Sequence, residues 1–195
     1  MREETKRIFE SVEELKQAIN EGAIRVEDEL ITKDEDGEAI FVVADISKEA
    51  VVLVRKFVLK YYKPMKKGNF DLIKWLNFEY IDSLDADLKA MMIAPEGQQL
   101  IDLPREIDVF GINQYGVYEE YEKCNKWEYF KKLNNRICGT GDDAEYSKWW
   151  WMNTQSRASA AYFCHCSHGG NAYYNGACSA GTYFRPRFIL AQRNQ

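Results

Sequence analysis

From Asn153 to Gln195 the chain has no Asp, Glu or Lys, yet these 43 residues hold both histidines and three of the five cysteines. All 31 acidic residues lie before this stretch, with 22 of the 26 basic ones. The first part therefore carries a formal charge of −9, and the last +4 from Arg157, Arg185, Arg187 and Arg193. Two surface chemistries share one chain. The last stretch is built from Ala, Ser, Gly, Asn, Tyr, Cys and His, which hydrogen-bond and stack without carrying charge. Such a surface suits recognition better than proton chemistry.

The same stretch reads as a hairpin plus a strand. Ala158 to Ser167 alternates, with Tyr162, Cys164 and Cys166 on one face and Phe163, His165 and Ser167 on the other. His168-Gly169-Gly170 supplies the turn, because glycines accept the positive φ a tight hairpin demands, and Asn171 to Ala177 returns antiparallel. Ser179 to Thr182 loops into a strand from Tyr183 to Leu190, where Pro186 forbids one ladder bond and marks an edge or a bulge.

Upstream, Ser11-Val12-Glu13-Glu14 has capping-box spacing, and Val12, Leu15, Ala18 and Ile19 follow at helical steps until Gly22. The runs Ile24 to Ile31, Ala39 to Ile46 and Val51 to Leu59, with a turn at Asp34 to Gly37, predict an antiparallel meander. Two helices are expected between Phe70 and Met92, the second capped by Ser83. Ile107 to Ile112 predicts a short strand, Glu119 to Ile137 a helix, and Gly139 to Asp143 a loop. With no internal repeat or linker, the expected organisation is an N-terminal helix over residues 1–22 and one domain over 23–195, with a recognition segment over 153–183. The class is α+β.

Three segments carry a resemblance: WWWMNT at Trp149 to Thr154, AAYFCHCSHGGNAYYNGA at Ala160 to Ala177, and YFRPRFIL at Tyr183 to Leu190. Their order is similar to the closing pattern of an uncharacterised domain family of gut-type bacteria and their phages. There a Trp-Trp-Leu-Arg-Ser element precedes a strand, a Gly turn, a Tyr/Asn-rich segment and a Gly-Val-Arg-Pro-Ala-Phe strand. FVVADI, KWLNFEYIDSLDADLKAMM and DVFGINQYGVY match its middle more loosely, so the likeness covers Ile24 to the end. Met152, Asn153, Tyr183 and Phe184 depart from the pattern. The arrangement resembles the C-type lectin-like fold, shared by formylglycine-generating enzymes and the variable proteins of phage diversity-generating retroelements. The resemblance implies that fold and a phage or prophage setting. It does not license the copper-dependent oxidase chemistry, because fold alone does not carry function and these cysteines do not align with that active-site pair.

As a recognition surface, Tyr162, Tyr173, Tyr174 and Tyr183 offer rigid amphipathic area. His165, Asn171, Asn175 and Ser179 offer adaptable hydrogen bonds, and Arg157 a fixed fork. Between Ser156 and Thr182 there is also no Lys, Glu, Gln, Met or Trp, the residues that adenine-directed mutagenesis of Asn-type codons cannot produce. The blander alternative is that Tyr, Asn and Gly simply form the turns and edges of a tight β-structure.

A zinc site from Cys164, Cys166, His168 and Cys178 is the metal alternative, but Cys-x-Cys on a strand sets the thiols about 7 Å apart, too far for most S–Zn–S angles. A Cys-His nucleophile meets a similar obstacle, since His165 faces away from its neighbours and the stretch has no acidic residue to orient an imidazole. Calcium-bound sugar is unsupported without carboxylates. No cofactor is expected.

The expected function is noncatalytic binding of a protein or glycan ligand, with two alternatives: an intracellular phage effector that blocks a host defence protein through the acidic segments Asp34 to Glu38 and Asp82 to Asp87, and a thiol- or metal-dependent enzyme. A net charge of −5 disfavours nucleic acid. No apolar run approaches about 18 residues, so no membrane span is expected. The charged start MREETKRIFE lacks a signal peptide's apolar stretch, so synthesis in the cytoplasm is expected, compatible with a later place on a virus particle.

Overall fold

A computed structural model describes residues 6–117, 126–141 and 146–192. The chain opens with strand β1 (Ile8–Phe9) and helix α1 (Val12–Asn20). Ser11 Oγ accepts the Glu14 N–H at 3.2 Å, while the Glu14 carboxylate reaches back to the Glu10 N–H at 2.8 Å. Val12, Leu15, Ala18 and Ile19 bury one stripe of the helix. Because β1 pairs in parallel with the next strand and Phe9 joins the same core, this segment is part of the main body rather than an appended helix.

Strands β2 (Glu29–Asp34), β3 (Gly37–Ile46) and β4 (Ala50–Arg55) form the expected meander. A two-residue loop joins Asp34 to Gly37, whose φ of 98° only glycine adopts freely. Small strands β5 (Lys66–Lys67) and β6 (Phe70–Asp71) precede α2 (Leu72–Phe78), a 3-10 turn over Tyr80–Ser83, and α3 (Ala86–Met91). Asp85, not Ser83, caps α3, accepting the Asp87 and Leu88 N–H groups. The Ser83 hydroxyl is instead spent on the Tyr80 carbonyl.

Strands β7 (Met92–Ile93) and β8 (Ile101–Asp102) then lead to helix α4 (Glu106–Phe110), where a strand was expected. The reason is local: Asp108 accepts the Arg105 N–H at 2.8 Å, and Gly111 at φ 78° closes the helix. Of the expected helix over Glu119 to Ile137, residues 119–125 lie outside the described residues, and the rest forms 3-10 turns at Glu128–Lys131 and Leu133–Asn135. Of the loop expected from Gly139, residues 139–141 are irregular and the remainder is outside the described residues.

Strands β9 (Trp150–Gln155), β10 (Tyr162–Cys166), β11 (Ala172–Gly176), β12 (Tyr183–Phe184) and β13 (Arg187–Ala191) complete the chain. The main sheet runs β1-β2-β3-β4-β13-β7, with β8 also on β13, and the second runs β11-β10-β9-β12. The expected strand from Tyr183 to Leu190 is thus split between the two sheets. Its first half runs parallel to β9 and its second antiparallel to β4. Pro186 sits at the switch, not at an edge, and its carbonyl accepts the Arg55 N–H at 2.8 Å. Arg185 is fully buried there. Its Nε donates to the Arg55 carbonyl at 2.8 Å and its Nη1 to the Asn135 carbonyl at 3.0 Å, with the guanidinium 5.1 Å from the Trp150 ring.

Alternation along the strands feeds two cores. Phe41, Val43, Leu53, Phe188 and Leu190 face α1, α2 and α3, continuing into Trp151, Phe163 and Phe184. Val42, Val54, Val109, Phe130, Trp150, Met152, Cys164 and Cys166 form the other. The fold is mixed α+β with sheet predominating, and among the described residues no helix is long and apolar enough to cross a membrane.

Candidate functional site

In the second sheet β10 is paired on both edges, by β9 and β11, and packing on both of its faces buries Phe163, Cys164, His165 and Cys166. Strand β11 is at the edge, and its aromatic residues reach the surface. Tyr173 is 52% exposed, Tyr162 on β10 is 39% exposed, and Tyr174 is half-buried.

These rings belong to one chain of contacts. His168 lies parallel to Trp149 at 6.1 Å, and Trp149 stacks on His165 at 4.9 Å. His165 meets Tyr173 at 5.7 Å, Tyr173 stacks on Tyr174 at 5.7 Å, and Tyr162 packs edge-on to Tyr174 at 5.7 Å. Tyr115 bridges Tyr173 and Tyr174 from another segment, at 5.9 and 5.3 Å. Contacts of this kind are worth about 0.5–1.5 kcal/mol each beyond area burial, so the exposed rings hold one another in place.

The segment carrying Tyr115 is anchored from beneath. The buried Glu106 carboxylate accepts the Tyr115 N–H at 3.0 Å and the Gly116 N–H at 2.7 Å, and the Glu106 N–H donates to Thr154 Oγ1. A Cβ on Gly116 would sit 2.3 Å from Thr154 Cγ2 and 2.9 Å from Glu106 Oε2, so only glycine fits. Arg157 serves the same segment: its N–H donates to the Tyr115 carbonyl, and Nη2 to the Gln114 carbonyl at 2.7 Å. It is a strut for the Tyr115 loop.

His165 corrects the expectation of a surface hydrogen-bonder. It is fully buried between Trp149, Trp151 and Tyr173, and neither ring nitrogen makes a hydrogen bond of ordinary geometry. Burial pushes its pKa down to about 4, with the Cys166 backbone pulling weakly the other way, so the imidazole is neutral at pH 7. The other residues expected at the surface are spread out. Asn171 is exposed at the hairpin turn, where its N–H donates to Ser167 Oγ. Asn175 turns its Oδ1 back to the Gly176 N–H at 2.8 Å, and Ser179 donates its N–H to the Gly176 carbonyl. Tyr183, on β12 at the opposite edge from β11, packs against Tyr62 at 6.1 Å and stands apart from the ladder.

The thiols point inward. Cys164 Sγ lies 3.6 Å from Glu106 Oε2, donating to it, and burial with the adjacent carboxylate pushes its pKa far up. Cys166 faces the Arg136 carbonyl, and burial pushes its thiol up to about 12. Both are protonated at neutral pH and poorly nucleophilic. Cys178 is exposed on the turn after β11, and His168 Nδ1 accepts the Trp149 Nε1–H at 2.7 Å. The four alternative zinc ligands are not brought together, and among the described residues no three His, Cys, Asp or Glu are placed to share a metal.

Sequence reasoning missed Trp149, Tyr115, Glu106 and Gly116. The segment Asn113-Gln114-Tyr115-Gly116 is visible in the sequence, but nothing local shows which distant strand it meets. No protein-family profile, curated protein or solved structure matches the chain.

Proposed function

We propose that this chain is a noncatalytic recognition protein of C-type lectin-like architecture and phage or prophage origin, binding a protein or glycan ligand through the aromatic ladder on the second sheet. The observation that carries the reading is the ladder itself: Tyr162, Tyr173 and Trp149 are exposed, yet each ring is braced by another. A rigid, neutral, aromatic surface limits the ordering entropy lost on binding and is poor in groups that move protons. The segment from Ser156 to Thr182, with its restricted residue set, covers much of the ladder and is compatible with a retroelement-diversified surface.

The buried protonated thiols and neutral His165 weigh against a thiol enzyme. The effector alternative loses part of its acidic face, because Asp34 and Asp36 are drawn onto Arg55 at 2.7 and 3.1 Å. Localisation follows the same proposal: synthesis in the cytoplasm and action on a particle or at a cell surface.

The test is binding to glycan and protein arrays and to intact bacterial cells. Tyr173→Ala combined with Tyr174→Ala is expected to weaken any specific binding by about 1–4 kcal/mol while leaving the circular dichroism spectrum unchanged. Undiminished affinity in a folded double variant rejects the ladder as the binding surface.

A further inference from the structure

Three aromatic rings enclose one ammonium group beside α2. Tyr61 and Lys63 precede β5, Phe70 lies on β6 and Trp75 on α2. Lys63 Nζ stands 4.2 Å from the centroid of Trp75, 5.2 Å from that of Tyr61 and 5.8 Å from that of Phe70, all within the reach of about 6 Å over which a ring face attracts a cation. Among the described residues this Nζ has neither an ion pair nor a hydrogen bond, so ring faces alone hold it. The walls are braced from behind. Tyr61 meets Trp75 edge-on at 6.3 Å, and both rest edge-on against the buried Phe184 ring, at 5.8 and 5.9 Å. Trp75 is buried, whereas Tyr61, Lys63 and Phe70 are half-buried, so the cage opens to solvent on their side.

Two carboxylates strengthen the attraction. The Tyr61 hydroxyl donates to Glu35 at 2.8 Å, and Trp75 Nε1–H donates to Glu79 at 2.8 Å. A ring O–H or N–H given to an anion enriches the π face in electron density, and the two negative charges add a potential that favours a cation between them. Lys63 is a poor match for these surroundings. Its ammonium is strongly hydrated and carries three N–H donors, while a ring face offers them no lone pair. A cation that has no N–H bonds leaves no donor unmet there.

The geometry points to a binding site for a quaternary ammonium group, held by Trp75, Tyr61 and Phe70 and filled in the free protein by the side chain of Lys63. Lys63 is an intramolecular stand-in, which a ligand displaces into water. Its backbone stays in place during the exchange, because the Lys63 carbonyl accepts the Trp151 Nε1–H at 3.0 Å, and only the flexible stem has to swing out.

Tetramethylammonium, titrated at constant ionic strength and followed on the Trp75 indole N–H resonance, is the test. Lys63→Ala empties the cage and is expected to bind saturably, about tenfold tighter than the unmodified protein, in which the tethered ammonium competes. Adding Phe70→Leu is expected to weaken that binding about fivefold, and because Phe70 is half-buried this variant reports on the cage without removing the buried Trp75. Choline is expected to bind about tenfold tighter than the neutral alcohol that carries a tert-butyl group in place of its trimethylammonium. Choline compared with a peptide bearing trimethyl-lysine separates a free solute from a modified protein as the source of the group. Absence of saturable shifts in both the unmodified protein and Lys63→Ala, or equal affinity for choline and the neutral alcohol, overturns the assignment.

Discussion

Two buried polar groups, Arg55 in the main sheet and His165 in the second, are accommodated in opposite ways. In the main sheet Arg55 is bonded to Asp34, to Asp36 and to the Phe57 and Val58 carbonyls, and the Tyr80 hydroxyl completes Asp34 at 2.8 Å. In the second sheet His165 is equally buried and has neither nitrogen satisfied, while hydrocarbon and indole faces surround it. The main sheet is a frame whose internal charges are mutually bonded. Around His165 the second sheet is an aromatic stack of Trp149, Trp151 and Tyr173. The difference teaches where change is tolerated: a bonded network fails when one member goes, whereas a stack accepts any ring of the right shape.

Breaking the frame gives the largest expected effect. Arg55→Met strands Asp34 and Asp36 without their cation and is expected to lower stability by about 3–5 kcal/mol in urea unfolding. A loss under about 1 kcal/mol would show that the network is dispensable.

The stack is sharpened by pH. His165 titrates lower in the folded state than the ordinary imidazole value of 6.5, so the folded protein binds fewer protons than the unfolded chain between those values. Stability is then whole above about pH 6.5 and falls by about 3 kcal/mol as pH drops toward about 4. His165→Phe is expected to remove that slope and to be at least as stable at pH 7, because no hydrogen bond is lost. Parallel pH profiles for the two proteins would contradict it.

A smaller effect is expected at the support of the ladder. Gly116→Ala drives a methyl into Thr154 and should cost about 1–3 kcal/mol, with weakened ligand binding. Thr154→Ser, which deletes the clashing Cγ2, should recover part of that loss, and failure to do so would place the strain at Glu106 instead.

Much of the frame is legible in the sequence, because its signals are local. Ser11 caps α1 as its spacing predicts, and Asp34 to Gly37 turns the meander. The hairpin of β10 and β11 follows the alternation from Tyr162 and the turn before Asn171, with Gly170 at φ 76°. What is not legible depends on partners far along the chain. Ile107 to Ile112 has the apolar density of a strand, and only the Asp108 bond to Arg105 shows it to be a helix. His165 reads as a surface residue until Trp149 is placed over it, and Arg157 as a fixed fork for a ligand until the Tyr115 loop reaches it. Alternation gives the face of a strand but not what covers that face.

The split of Tyr183–Ala191 between the sheets has a kinetic consequence. β13 lies between β4 and the β7 and β8 strands, closing contacts with Ala50–Arg55 across more than half the chain, while β12 completes the second sheet only a few residues earlier. Neither layer can finish its pairing until this short segment is in place, so both sheets depend on contacts between residues far apart in the chain, an arrangement that slows folding.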